Sequence, residues 1–285
     1  MTAWLMRPVT RGRYLIVWRG MAVLLAARAA LGPYRQLADQ PSALFRPVPF
    51  LSWLDGIPSA GVIAAIQVLA VAGAIVAVLR PRSRWALLTA WGGLLVLAGF
   101  KTSLGKILHN DLLLLFAAVP FLLAPAPDPD GDPSERDARF GLPVQTAAAV
   151  IALVYFVIGV QKLRHSGLAW VTGDNIRWVL YAGAASGNPP SPTPARFLAD
   201  RAWMTHLVAA GTLAIELGFP LALVANRVAI AFAFGACAIH LATWVLLGLD
   251  YWAWALVVLL VFVDWDAIVR SRRAVAAGSP PRTRR

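Results

Sequence analysis

The stretch of sequence that decides the fold is residues 60–79, which read AGVIAAIQVLAVAGAIVAVL without a single charged residue. Twenty residues of helix are about 30 Å long, which matches the hydrocarbon core of a bilayer. The bias extends to the whole chain, because 59% of its 285 residues are hydrophobic and 14% are charged. A soluble domain of this length could not bury so much apolar surface. This composition excludes a soluble enzyme, a disordered chain and a disulfide scaffold, and it predicts a polytopic membrane protein.

Seven further segments are apolar enough to form membrane-spanning helices, so we expect an all-α bundle of about eight helices over residues 1–269. The predicted spans are residues 14–31, 60–79, 85–100, 107–124, 144–163, 203–225, 228–247 and 251–269. Arg19 and Arg28 interrupt the first span, which argues against a cleaved signal peptide, and both can snorkel from near its ends. The longest connection covers residues 164–201, and we expect its proline-rich part, residues 189–194, to be extended or irregular.

The distribution of the 26 basic residues predicts the orientation of the bundle. Cytoplasmic loops carry an excess of arginine and lysine, and the short basic connections all fall on one side if the N-terminus is cytoplasmic. Eight spans then return the C-terminus to the cytoplasm, where residues 270–285 form a basic, disordered tail. We interpret the tail as a topology anchor and not as a nucleic-acid-binding segment, since it has no stacking aromatics. The chain is therefore predicted to be a multi-pass protein of the cell membrane, with the lipid bilayer as its partner.

All of the lysines and histidines lie at or toward the predicted extracytoplasmic side, whereas the arginines concentrate inside. Unlike arginine, lysine and histidine exchange protons near neutral pH once their surroundings favour it, so this separation suggests a site that opens outward. The candidates are Lys106, His109, Asp111, Lys162, His206, Glu216 and His240. Two interpretations stay open for the groups within spans: hydrogen bonds that fix helix packing, or a catalytic pocket. The scattered histidines give no ligand-spaced set, so no metal is predicted.

The strongest local signal is residues 155–173, which read YFVIGVQKLRHSGLAWVTG. Lys162 closes an apolar helix, where partial removal from water would let it act as a base. Trp170 suits an anchor at the membrane interface, and Gly167 and Gly173 allow the chain to turn back.

This segment resembles the HTTM (horizontally transferred transmembrane) family, which includes the vitamin K-dependent γ-glutamyl carboxylases and carries Tyr-Phe-x-x-Gly-Val-x-Lys-Leu followed by Trp and Gly. His109-Asn110-Asp111-Leu112 is similar to a second family segment, and Glu216 before Pro220 followed by His240 is similar to a third. The resemblance runs from the first span to about Trp265. Asp111 stands where the carboxylases tend to have an aromatic residue, and we expect their large lumenal domain to be absent. Both departures favour family membership over full carboxylase activity.

The resemblance implies that Lys162 deprotonates a reduced vitamin K of the menaquinol type, with His109 as the second catalytic residue. Oxygen addition would then give a strong base that abstracts a proton from a peptide or lipid substrate, and CO2 would trap the carbanion. Pocket and supporting roles fall to Glu216, His240, His206, Trp170, Lys106 and Asp111. The alternative is a non-catalytic quinone- or lipid-binding subunit, and convergence of Lys162, His109 and His240 in space would separate the two. A transporter is disfavoured because the sequence has no inverted repeat.

Overall fold

The computed structural model describes residues 2–105 and 109–268, and the prediction of an all-α fold is confirmed. Twelve α-helices occur in the described residues: α1 (Thr2–Leu5), α2 (Arg11–Leu31), α3 (Ala60–Leu79), α4 (Arg84–Thr102), α5 (Leu112–Leu123), α6 (Ala138–Ser166), α7 (Ala169–Thr172), α8 (Asn175–Ser186), α9 (Thr193–Ala199), α10 (Ala202–Gly218), α11 (Asn226–Leu247) and α12 (Trp252–Phe262). The strands in this part of the chain are β1 (Val9–Thr10) and β2 (Arg136–Asp137), which pair antiparallel.

Six helical segments are long and apolar enough to cross a membrane. They are Arg11–Asp39, Ala60–Leu79, Arg84–Thr102, Ala138–Ser166, Ala202–Leu223 and Asn226–Leu247. The other two predicted spans, residues 107–124 and 251–269, coincide with the shorter apolar helices His109–Leu123 and Trp252–Phe262. The predicted tail and Lys106 lie outside the described residues.

One expectation about particular segments holds in part and one is wrong. Residues 189–192 are irregular as expected, but Thr193 and Pro194 begin α9, and the connection 164–201 as a whole contains three helices, α7 to α9. A proline is tolerated there, because the first turn of a helix has no intrahelical partner for its N–H groups. The expectation that Arg28 snorkels is wrong, since its side chain is buried inside the protein with 1% exposed. Arg19 is exposed, and its Nε donates a hydrogen bond to the carbonyl of Val78.

The described chain divides into two compact units. Unit 1 contains residues 2–105, 118–146 and 263–268, and unit 2 contains residues 109–117 and 147–262.

In unit 1, small residues let α3 and α4 approach closely. A Cβ added to Gly73 would lie 2.9 Å from the carbonyl oxygen of Ala86, and one added to Gly93 would lie 2.7 Å from the Cβ of Ala70. Close backbone packing between small residues of this kind is typical of helix pairs that are long and apolar enough to cross a membrane. Nearer the chain start, the ring of Tyr14 stacks on Phe121 and Phe140.

Strand β1 leads into α2, and both are tied to distant parts of unit 1. The hydroxyl of Thr10 caps α2 by accepting from the N–H of Arg13, and it donates to Asp266 at 2.5 Å. The guanidinium of Arg11 forms an ion pair with Glu135, which immediately precedes β2. Three segments that are far apart in sequence therefore meet at the start of α2.

Unit 2 is organised around α6, α10, α11 and α12. The helices α8 and α9 pack against each other through a small cluster of Leu180, Ala184, Ala195 and Ala199. On α10, a short 3-10 turn, Phe219–Leu223, extends the helix toward the start of α11. The ring of Phe219 contacts Phe232 on α11 and Phe262 on α12 edge-on, so this turn is a packing centre of the unit.

Candidate functional site

One face of α6 supplies the frame of the site. Tyr155, Gly159 and Lys162 are spaced by four and then three residues, which places them in a row along one side of the helix. Helix α10 packs against this row. A Cβ built on Gly159 would lie 3.0 Å from the Cβ of Glu216, so the missing side chain of Gly159 lets α10 approach closely. The close approach brings the Glu216 carboxylate within reach of Lys162.

Lys162 and Glu216 form an ion pair between the two helices. The Nζ of Lys162 donates to Oε1 of Glu216 at 2.5 Å, and the two side chains are 20% and 7% exposed. An isolated charge in such a place is costly, whereas a neutral pair in contact offsets much of that cost. The second carboxylate oxygen, Oε2, is buried and has no hydrogen-bond partner among the described residues. The pair can hold or transfer a proton and still has an acceptor available.

Trp170 covers the Lys162 ammonium. Its ring centroid lies 4.8 Å from Nζ, a distance at which the negative face of an indole attracts a cation. The ring reaches this place because Gly167, with φ of +55°, reverses the chain between α6 and α7. The indole Nε1 is buried without a partner among the described residues, so the site also contains an unused donor.

A second polar pair lies two helical turns before Lys162 on the same face of α6. The hydroxyl of Tyr155 and Nε2 of His240 share a hydrogen bond of 2.6 Å, and both side chains are buried. Tyr155 stacks on Phe219 with ring centroids 4.4 Å apart, and Trp254 meets the imidazole edge-on at 5.5 Å. The other imidazole nitrogen, Nδ1, is buried and unpartnered within the described chain. Sequence reasoning did not assign Tyr155 a role, although its seven-residue spacing from Lys162 is the signal that could have found it.

The His109 segment contributes through its backbone. A short 3-10 turn contains His109–Asp111 at the start of α5, and the imidazole of His109 is exposed. Its carbonyl accepts a hydrogen bond of 3.0 Å from Nε1 of Trp254. Asp111 is buried, and the neighbouring Asn110 donates to the carbonyl of Asp250 at 2.6 Å. This turn is therefore joined to the aromatic wall beside His240, but the His109 side chain is not part of that wall.

The remaining candidates do not join either pair. His206 is half-buried near the start of α10 and makes no side-chain hydrogen bond to other described residues. Across residues 2–105 and 109–268, no group of three or more His, Cys, Asp or Glu side chains is arranged to hold a metal ion. The structure thus brings together Lys162, Glu216 and Trp170 as one cluster and Tyr155 with His240 as another. These side chains can transfer a proton and can bind a ligand that has hydroxyl groups.

Comparisons of this chain with protein-family models, with curated proteins and with solved structures find no match.

Proposed function

We propose that this chain is an integral membrane protein that binds a hydroquinone-type lipid and removes a hydroxyl proton from it with Lys162. The single observation that carries the proposal is the 2.5 Å contact between Lys162 and Glu216 inside two apolar helices. Ionisable groups in membrane helices are energetically expensive, so a lysine–glutamate pair between two such helices favours a functional role over packing alone. The second observation in support is the indole of Trp170 over the same ammonium.

The contact with Glu216 gives Lys162 a way to become a neutral amine, which a base must be. A lysine must lose its own proton before it can accept one, and a free amine next to water would soon regain it. In this site the proton passes from Nζ of Lys162 to Oε1 of Glu216, which leaves a neutral amine beside a carboxylic acid. No net charge is created in the membrane by this transfer. The amine then takes the ligand's hydroxyl proton, and the resulting ammonium lies beside the new anion and under Trp170.

The buried polar atoms of the site that have no hydrogen-bond partner among the described residues match the oxygens of a hydroquinone. Oε2 of Glu216 offers an acceptor for a hydroxyl, and Nε1 of Trp170 offers a donor to a ring oxygen. A hydroquinone-type lipid supplies a reduced ring that reacts with oxygen after deprotonation. The resemblance to the carboxylase family extends the proposal to an oxygen- and CO2-dependent carboxylation of a peptide or lipid substrate at the extracytoplasmic face. Tyr155 and His240 shape the aromatic wall next to the cluster.

The test is turnover by the purified full-length protein in lipid nanodiscs supplied with menaquinol, oxygen and labelled bicarbonate. Oxidation of menaquinol is followed by absorbance, and incorporated label reports carboxylation. Lys162→Arg keeps a cation beside Glu216 but cannot supply a neutral amine, so the enzyme-dependent rate should fall at least ~100-fold. The matched control is His165→Ala, because His165 is exposed one turn after Lys162. An unchanged rate in Lys162→Arg would refute the role of Lys162 as a base.

A second candidate is a non-catalytic subunit that binds a quinone or another lipid in the same place. The observation that favours it is that Lys162, His109 and His240 do not form one cluster. The imidazole of His109 is exposed, and His240 pairs with Tyr155 while Lys162 pairs with Glu216. In that case the wild-type protein binds menaquinol in nanodiscs but does not consume it. Binding of menaquinol would survive Lys162→Arg.

A further inference from the structure

Unit 1 contains an open groove of about 620 Å³ that has no part in the proposed chemistry. It lies between the end of α2, the 3-10 turn Tyr34–Asp39 and one face of α3. Its volume is in the range of pockets that hold a whole small ligand or a substantial part of a larger one.

The α3 side of the groove is an apolar stripe. Val68, Val71, Ala72 and Ile75 line it, and their spacing of three, four and seven residues places them on one face of the helix. The stripe is about 10 Å long at the rise of an α-helix. Val68 and Ile75 are 61% and 51% exposed, so the groove opens sideways along a helix that is apolar enough to cross a membrane. Such a surface suits a hydrocarbon chain.

The other end of the groove is polar and positively charged. Arg35 and Gln36 line it, both are exposed, and Arg35 has no ion-pair partner among the described residues. Deeper in the wall, Gln67 is 9% exposed, and its Nε2 donates to the carbonyl of Ala29 at 2.9 Å. The Oε1 of Gln67 has no hydrogen-bond partner in the described chain. The groove therefore combines a cationic end with an apolar length, which is the pattern of an amphiphile with an anionic head.

We propose that this groove is a binding site for one anionic phospholipid. Arg35 pairs with the phosphodiester, for which a guanidinium provides parallel N–H donors, and one acyl chain lies along Val68, Val71 and Ile75. Gln67 fixes the end of α2 against α3 and so keeps the groove open between them. The inference is independent of the chemistry at Lys162, because all of these residues belong to unit 1.

The experiment titrates the purified full-length protein in detergent with phosphatidylglycerol, and in parallel with phosphatidylcholine, and counts bound lipid by native mass spectrometry. We expect tighter binding of phosphatidylglycerol, and about fivefold weaker binding of that lipid in Arg35→Gln. The matched control is Arg46→Gln, an exposed arginine of the same inter-helix segment that does not line the groove. A second variant, Val71→Trp, fills the groove and should weaken both lipids while Arg35 remains in place.

Each outcome decides the proposal. If Arg35→Gln and Arg46→Gln weaken phosphatidylglycerol equally, the lipid is attracted by general surface charge and the site does not exist. If Val71→Trp leaves phosphatidylglycerol binding intact, the acyl chain does not occupy the groove. If millimolar inorganic phosphate displaces the lipid, the site recognises a free anion and not a phospholipid. Equal binding of the two lipids by the wild-type protein would also overturn the proposal. So would a stable dimer without bound lipid, because a second copy of the chain would then occupy the groove.

Discussion

The contact between Lys162 and Glu216 makes a quantitative prediction about stability. Lys162→Met would leave a glutamate that is 7% exposed without its cation, and breaking a buried pair in this way costs about 3–5 kcal/mol. We expect about 3 kcal/mol, because a carboxyl group can take up a proton and avoid part of the cost. Glu216→Gln should cost less, about 1–2 kcal/mol, since the lysine is 20% exposed and retains the Trp170 ring.

The double variant Lys162→Met/Glu216→Gln leaves no unpaired charge. Its loss of stability should therefore be smaller than the sum of the two single losses by about 2 kcal/mol. The free energy of unfolding can be measured by SDS titration in bicelles. The lone cysteine, Cys237, reports opening of unit 2, because it is half-buried and reacts with a thiol dye on exposure. His165→Ala should shift the curve by less than about 0.5 kcal/mol. Additive single losses would show that the ion pair is not formed in the membrane.

Three further predictions concern other parts of the chain. Tyr155→Phe should lower the free energy of unfolding by about 1 kcal/mol, because it leaves Nε2 of His240 without its hydrogen bond while the ring stacking is kept; the same titration measures it. Gly73→Val should lower the free energy of unfolding by about 2 kcal/mol, because the larger side chain forces α3 away from α4. Gly92→Val should be tolerated, since an added Cβ there meets nothing within 4 Å. Thermal unfolding of the two variants measures the difference. The hydrogen bond from Arg11 holds the pKa of the Glu135 carboxyl below its usual 4.5. The contact between Glu135 and Arg11 therefore stabilises the fold above pH 4.5, and this stabilisation is lost as the pH falls through the lowered pKa. Glu135→Gln should flatten this acid limb in a pH series of thermal melts.

The sequence predicts the helices well where apolar length is the dominant force. Residues 60–79 and 228–247 come within two residues of α3 and α11, because a bilayer-length apolar run between polar ends has few alternatives. It predicts the loops poorly, as the connection 164–201 shows. Helices α8 and α9 there are short and amphipathic, and they form because they bury a small shared cluster, which no local pattern reveals.

The site is foreseeable as a set of residue types but not as a set of contacts. Lys162 and Glu216 stand out because ionisable residues are rare in apolar helices. That they touch depends on the register between α6 and α10, which Gly159 sets by allowing close approach. His109 shows the limit of motif reasoning, since the turn is in place but its imidazole is exposed. Which atom of a residue meets its neighbour is decided by packing and not by the motif.

The separation of Lys162 and Glu216 by 54 residues also has a consequence in time. A ribosome that adds about 5–20 residues per second needs about 3–11 s to pass from one to the other. During that interval the lysine has been made and its carboxylate has not. If α6 enters a membrane as proposed, its charged end must stay near water, or within the insertion machinery, until α10 arrives. The order of synthesis therefore imposes a waiting period on this protein that the finished structure no longer shows.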